Sequence, residues 1–154
     1  MKRLRRLGWK RLLLYGIVGA VGLFALAQAV PYGRAHKNPP VQVEPRWNSA
    51  TTRELARRAC FDCHSNLSIW PWYSNIAPVS WLVQGDVDSG RSTLDFSEWN
   101  RPQDGAGDLA DAVLGGMPPW YYKLMHGAAD LSAAEKKALG RGLAATIARD
   151  PPGP

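Results

Sequence analysis

Two cysteines and a histidine stand together at Cys60-Phe61-Asp62-Cys63-His64, and the chain has no other cysteine. On a helical turn, positions i, i+3 and i+4 share one face, so both thiols and the imidazole can turn toward one partner. C-x-x-C-H is the spacing at which c-type haem is attached. In such sites the sulfurs bond the vinyl groups and the histidine takes one axial position on iron. The pattern therefore predicts a haem c held covalently through Cys60 and Cys63, with His64 as an iron ligand.

Other chemistries compete for the same residues. Two cysteines are too few for a four-cysteine zinc or iron–sulfur site within one molecule. A Cys2His2 zinc site would recruit His64 with His36 or His126. However, His64 directly follows Cys63, and adjacent residues rarely both reach one tetrahedral ion. A thiol–disulfide pair also fits C-x-x-C, but nothing in the chain reads as the βαβ setting expected around it.

A six-coordinate iron needs a second ligand from another segment. Met117, 53 residues beyond His64, is the leading candidate. Pro118 biases it toward an extended backbone, so its side chain is offered from a constrained loop. Histidine opposite methionine is the ligand pair of electron-transfer cytochromes c, and the thioether raises the reduction potential. Met125, His126 and the linker residue His36 are rivals for that position. Arg91 is a candidate partner for a haem propionate, because guanidinium binds carboxylates bidentately.

The elements that must position these residues are read from pattern. Of 19 basic residues in 154, six lie within the first 11, and the remaining 13 face 13 acidic ones. The excess charge therefore belongs to the N-terminus, and no basic patch calls for nucleic acid. Leu12 to Val30 carries no charge over 19 residues, close to the roughly 20 that span a hydrocarbon layer. Residues 1–30 are therefore expected to be a membrane anchor through residues 12–30, or else a signal peptide. The A-x-A patterns around Ala25 to Ala29 would suit cleavage, while the length of the apolar run favours an uncleaved anchor. The flanking positive charges place the N-terminus in the cytoplasm and the rest outside. Residues 31–48, with Pro31, Pro39, Pro40 and Pro45, read as an extended tether.

Residues 49–150 read as one mostly α domain with long ordered loops. The chain's seven tryptophans, 12 prolines and 15 glycines suggest a small core packed around aromatic rings. A T-x-x-E box at Thr51 and Glu54 predicts a helix running through Leu55 and Ala59 into Cys60. Residues 65–78 predict an ordered loop whose Trp70, Trp72 and Tyr73 are buried, against a haem edge, the economical surface, or in an ordinary aromatic mini-core. A second helix is expected from Val79 to about Val87, stopped by Gly90-Arg91. Residues 93–100 read as irregular or briefly extended chain, and residues 102–107 as a polar loop. A short helix is expected from Asp108 to Leu114, ended by Gly115-Gly116. Ser132 and Glu135 form an S-x-x-E box opening a helix from Ala133 to Arg149. Its stripe of Leu139, Leu143 and Ile147 should pack on the helix that carries the cysteines.

Together these stretches resemble the haem-binding domain family of small, exported bacterial c-type haem proteins. The likeness runs through Asn38-Pro39-Pro40-Val41, Cys60 to Asn66, Trp70 to Ser74, Ala77 to Leu82, Gly90-Arg91, Phe96 to Trp99 and Met117-Pro118. It covers nearly everything from about Tyr32 to Ile147. The resemblance implies a helical, cytochrome-c-like fold, one covalent haem and export to the periplasm from the bacterial inner membrane. It carries Cys60 and Cys63 over as attachment sites, His64 as the proximal ligand and Met117 as the methionine-proline position. The family often has a histidine just before the Asp-Val of the second helix. Gly85 occupies that place here, so no ligand role falls to it. The expected function is single-electron transfer between unidentified protein partners rather than an enzymatic reaction. The alternatives are a haem peroxidase or oxygen-activating site, or a haem-based sensor, with an open sixth position.

Overall fold

The computed structural model describes residues 2–153, with the backbone alone over residues 2–7. The side chains of Lys2, Arg3, Arg5 and Arg6 and the whole of Met1, part of the expected basic run, lie outside the described residues. The chain is mostly helical, and among the described residues the only β pairing is an isolated bridge between Val43 and Glu98.

Two compact units emerge from the contacts, one comprising the chain up to His36 with Pro71–Gln84, the other Lys37–Trp70 with Gly85–Pro154. In the first, helix α1 (Lys2–Gln28) contains the expected apolar segment. Gly8–Gln28 is long and apolar enough to cross a membrane, with a mean hydropathy of 1.6. Its last residue is fixed by hydrogen bonds: the Gln28 amide donates to the Ala77 carbonyl at 2.8 Å and accepts from the Ala77 N–H at 3.0 Å. Trp72, expected to be buried, is 72% exposed on a 3-10 turn in this unit.

The second unit holds the core. Helix α2 (Ala50–Ala59) buries Thr52, Leu55, Ala56 and Ala59, the i, i+3, i+4, i+7 spacing of one helical face. Its N-cap is Ser49, not Thr51 as the T-x-x-E pattern predicts: the Ser49 hydroxyl accepts from the Thr52 N–H at 3.1 Å. Glu54 is instead paired with Arg57 at 2.7 Å. A single turn, α3 (Phe61–His64), follows through Cys60. Helix α4 (Val79–Thr93) begins in the first unit and ends in the second. It runs past Gly90, where the sequence suggested a stop. Then come α5 (Leu109–Gly115), α6 (Trp120–Met125) and α7 (Ala133–Arg149). The Ser132–Glu135 capping box is formed in full. Buried Leu139 and Leu143 lie on α7, which packs on α2 and α5.

An aromatic stack fills the centre. Phe61 faces Phe96 at 5.6 Å between ring centroids, and Phe96 in turn meets Trp47 at 5.1 Å and Trp99 at 6.0 Å. Such offset and tilted ring pairs add to the apolar burial itself. Trp47 closes the proline-rich segment, so that segment is more than a spacer. Gln42 and Val43 N–H donate to the Ser97 carbonyl, and Trp99 N–H to the Val43 carbonyl. From Lys37 onward the stretch read as a tether is knitted into the second unit.

Candidate functional site

Phe61, the first spacer of the cysteine motif, is 2% exposed and plugs the aromatic core. That burial fixes the turn from α2 into α3, and Cys60, Cys63 and His64 line a cavity beside it, Cys60 also packing against the core. The cavity measures about 380 Å³, within the range of roughly 300–1,000 Å³ typical of small-molecule and cofactor sites. It lies wholly in the second unit. Ala59, Leu94, Leu109, Ala112 and Val113 supply apolar wall, and Met117, Pro118, Pro119, Tyr121 and Tyr122 line it from a later segment.

Helix α4 lies unusually close to the motif. A Cβ on Gly90 would collide with the Cys63 carbonyl, so glycine is what lets the helix close the cavity on that side. The residue that sequence reasoning took for a helix stop is a packing notch.

His64 is oriented by its other ring nitrogen. Nδ1 lies 3.0 Å from the Leu94 carbonyl. A carbonyl can only accept, so the bond puts the ring proton on Nδ1 and leaves Nε2 with a lone pair. Burial pulls the imidazole pKa below the ordinary 6.5, against the opposing pull of the Leu94 carbonyl. A neutral ring with a fixed tautomer is what a metal-ligating histidine requires. The peptide is held as well, since Phe96 N–H donates to the His64 carbonyl at 2.9 Å.

Both cysteines are free. Burial pushes each thiol up to about 12, reinforced by the neighbouring thiol at Cys60 and by Asp86 and Asp62 at Cys63. Such thiols stay protonated near neutrality, unlike the low-pKa pair of a thiol–disulfide catalyst. Among the described residues no group of three or more His, Cys, Asp or Glu side chains is placed to hold a metal ion. The Cys2His2 zinc alternative therefore has no second histidine to complete it.

The four candidates for the second iron ligand divide sharply. Met117 lines the cavity and is 45% exposed, its N–H donated to the Ala112 carbonyl at 3.0 Å. Met125 is 62% exposed and does not line it. His126 stacks on Tyr122 with centroids 3.9 Å apart, its Nδ1 2.9 Å from the Tyr122 carbonyl. His36 belongs to the first unit, where Nε2 meets the Ser74 hydroxyl at 2.9 Å.

Arg91 departs from the expectation of a propionate partner. Its guanidinium donates to the Ser65 and Lys37 carbonyls, the Asn38 side chain and the Ser68 hydroxyl, all at 2.9–3.0 Å. Four of its five N–H groups thus tie residues 37–38 to the loop after the motif, and Arg91 is not part of the cavity wall.

Three residues that sequence reasoning left aside also line the cavity: Asp62, the second spacer of the motif, with Tyr121 and Tyr122. Tyr122 hydroxyl donates to Asp62 at 2.6 Å, and Tyr121 hydroxyl lies 3.2 Å from both carboxylate oxygens of Asp86. The only signal in the sequence was the run of aromatics immediately after Met117-Pro118-Pro119.

No curated protein and no solved structure matches the chain significantly. A family model described as a haem-binding domain matches residues 22–145. That span takes in the whole cavity wall, and the chain belongs to the haem-binding domain family.

Proposed function

We propose that the protein is a membrane-anchored, mono-haem c-type cytochrome domain that exchanges single electrons with protein partners. The observation that carries this reading is that Cys60, Cys63, His64 and Met117, from two distant stretches of sequence, line one largely apolar cavity. The residues fit the group. Cys60 and Cys63 would hold it through their sulfurs, His64 would ligate its iron through Nε2, and Met117 would offer a second ligand from a separate segment. When bound, haem supplies reversible one-electron chemistry at a potential set by its axial ligands and by the burial and hydrogen bonding around it.

The chain's own residues account for the rest. The Leu94 carbonyl keeps His64 in the ligating tautomer, and the Phe61–Phe96 stack keeps the motif from shifting. Ala59, Leu94, Leu109, Ala112 and Val113 keep part of the wall apolar. Gly8–Gln28 anchors the protein, with the positive N-terminal flank in the cytoplasm and the cavity-bearing unit in the periplasm. The domain plan is residues 1–30 as anchor, 31–48 as connection and 49–150 as haem-binding domain.

The test is an absorption spectrum of the protein after co-expression with a c-type haem maturation system, followed by acid–acetone extraction. Haem that resists extraction and gives a low-spin spectrum is expected. Met117→Ala is expected to turn the spectrum high-spin and lower the potential, since the thioether is what raises it. A parent that is itself high-spin and binds cyanide readily would favour an open, oxygen-activating site instead. Haem that extracts freely would overturn covalent attachment.

A further inference from the structure

Met117 is attached to the fold in an uneven way. On its N-terminal side, α5 holds it through the Ala112 carbonyl. On its C-terminal side come Pro118 and Pro119, which have no N–H to donate, and then α6, a six-residue helix with no buried residue. Trp120 and Leu124 on that helix are 71% and 73% exposed. Apolar burial therefore does not hold α6 in place. What reaches back into the cavity from it is two phenol hydroxyls.

Each hydroxyl ends on an aspartate that also lines the cavity. Tyr122 donates to Oδ2 of Asp62 at 2.6 Å, within the short range of charge-assisted O–H···O bonds. The other oxygen of Asp62 accepts the Ile69 N–H at 3.0 Å, so the carboxylate is held from both sides. Asp62 lies between the two cysteines. Tyr121 reaches Asp86 on α4, one helical turn from Gly90, the residue in contact with Cys63.

We infer that Tyr121 and Tyr122 are positioning residues that clamp the Met117 segment onto the cysteine motif and α4, holding the thioether over the cavity. The inference rests on the reading of Met117 as the second axial ligand. It gives a role to Asp62: the acidic spacer of the motif is the near-side anchor of the far-side ligand. Without the clamp, Met117 is held only by the Ala112 carbonyl upstream and by buried Pro118 beside it, and an external ligand competes with it more effectively.

The experiment uses the full-length haem-loaded chain in detergent. Imidazole is titrated into the oxidised parent, Tyr121→Phe/Tyr122→Phe, Tyr122→Phe, Met117→Ala and Met117→Ala/Tyr122→Phe. Phenylalanine keeps the ring and removes only the hydroxyl. The double tyrosine variant is expected to keep its covalent haem, weaken the absorption band of methionine ligation and bind imidazole at least about tenfold more tightly. Tyr122→Phe should give the larger part of that change, because its bond is shorter, and it carries the test if the double variant does not mature. In the Met117→Ala background, Tyr122→Phe should no longer matter. Loss of its effect there distinguishes positioning from general stability.

Imidazole affinity within twofold of the parent in the tyrosine variants, with Met117→Ala strongly altered, would overturn the clamp alone. A silent Met117→Ala would overturn the ligand assignment and the clamp with it. A tyrosine effect that persists without Met117 would reassign the pair to stability of the fold.

Discussion

The two sides of the cavity are built on different physics. The Cys60–His64 side is set in core: Phe61 is 2% exposed and Phe96 1%, and Gly90 lets α4 lie against the Cys63 carbonyl. The Met117–Met125 side is a strap in which Pro118 is buried but no residue of helix α6 is, and its tyrosines are tied to Asp62 and Asp86 by side-chain hydrogen bonds. Close packing resists displacement in every direction, whereas a hydrogen bond can be exchanged for one to water at a small net cost. On the proposed reading, a site made this way has a rigid half that would fix attachment and an adjustable half that would set what occupies the remaining position.

The bluntest way to break this contrast is to delete side chains on each side. Phe96→Ala removes a ring that touches Trp47, Phe61 and Trp99. It should cost about 3–5 kcal/mol in urea denaturation. Trp120→Ala and Leu124→Ala, on the strap, should each stay within about 0.5 kcal/mol of the parent. A cost for either strap variant approaching that of Phe96→Ala would mean that α6 belongs to the core after all.

Glycines on α4 sharpen the same contrast at smaller magnitude. Gly90→Ala forces a methyl group into the Cys63 carbonyl, a backbone atom that cannot swing aside, and should cost about 1–3 kcal/mol. Gly85→Ala, on the same helix with nothing near its Cβ position, should instead stabilise by up to about 1 kcal/mol. Equal effects at the two positions would show that helix propensity, not the approach to Cys63, governs Gly90.

What could be read from the chain follows the range of the interactions involved. The C-x-x-C-H turn and the Ser132–Glu135 box are decided within five residues, and both stand where the pattern put them. The stripe Leu139 and Leu143 repeats with the helix and needs no partner to be seen. At the start of α2, Ser49 and Thr51 are both capping types. Only the extended backbone of Ser49, φ −156° and ψ 157°, selects between them, and Glu54 is taken by Arg57. Gly90 looks like a helix stop until the Cys63 carbonyl is placed beside it. Arg91 invites a carboxylate partner, but the acceptors that claim it are 23 to 54 residues away in sequence. The aromatic run from Trp70 has the composition of a buried patch, yet exposure at Trp72 depends on packing that no local pattern encodes. The tyrosines after Met117 were invisible for the same reason as Arg91: their aspartates are 35 and 60 residues away.

The finest test concerns acid. Glu135 accepts from the Ser132 N–H and hydroxyl and from Arg58 at 2.8 Å, and these bonds lower its pKa from 4.5 to about 2. A carboxyl whose pKa is depressed by folding stabilises the folded state above its unfolded value, and that contribution fades as protons are forced on. The stability Glu135 provides should therefore be complete above pH 4.5 and disappear as pH falls toward 2. Glu135→Gln should lower the thermal midpoint most above pH 4.5, with parent and variant converging toward pH 2. Arg58 also donates to the Ala128 carbonyl, in the turn following α6, so the cap lies where core and strap approach each other along the chain. If the two sides are independent, Glu135→Gln changes the midpoint and leaves imidazole affinity of the haem-loaded protein as it was. A shift in both would show that the strap responds to the packing of α7, and that the adjustable half of the site is governed from the core.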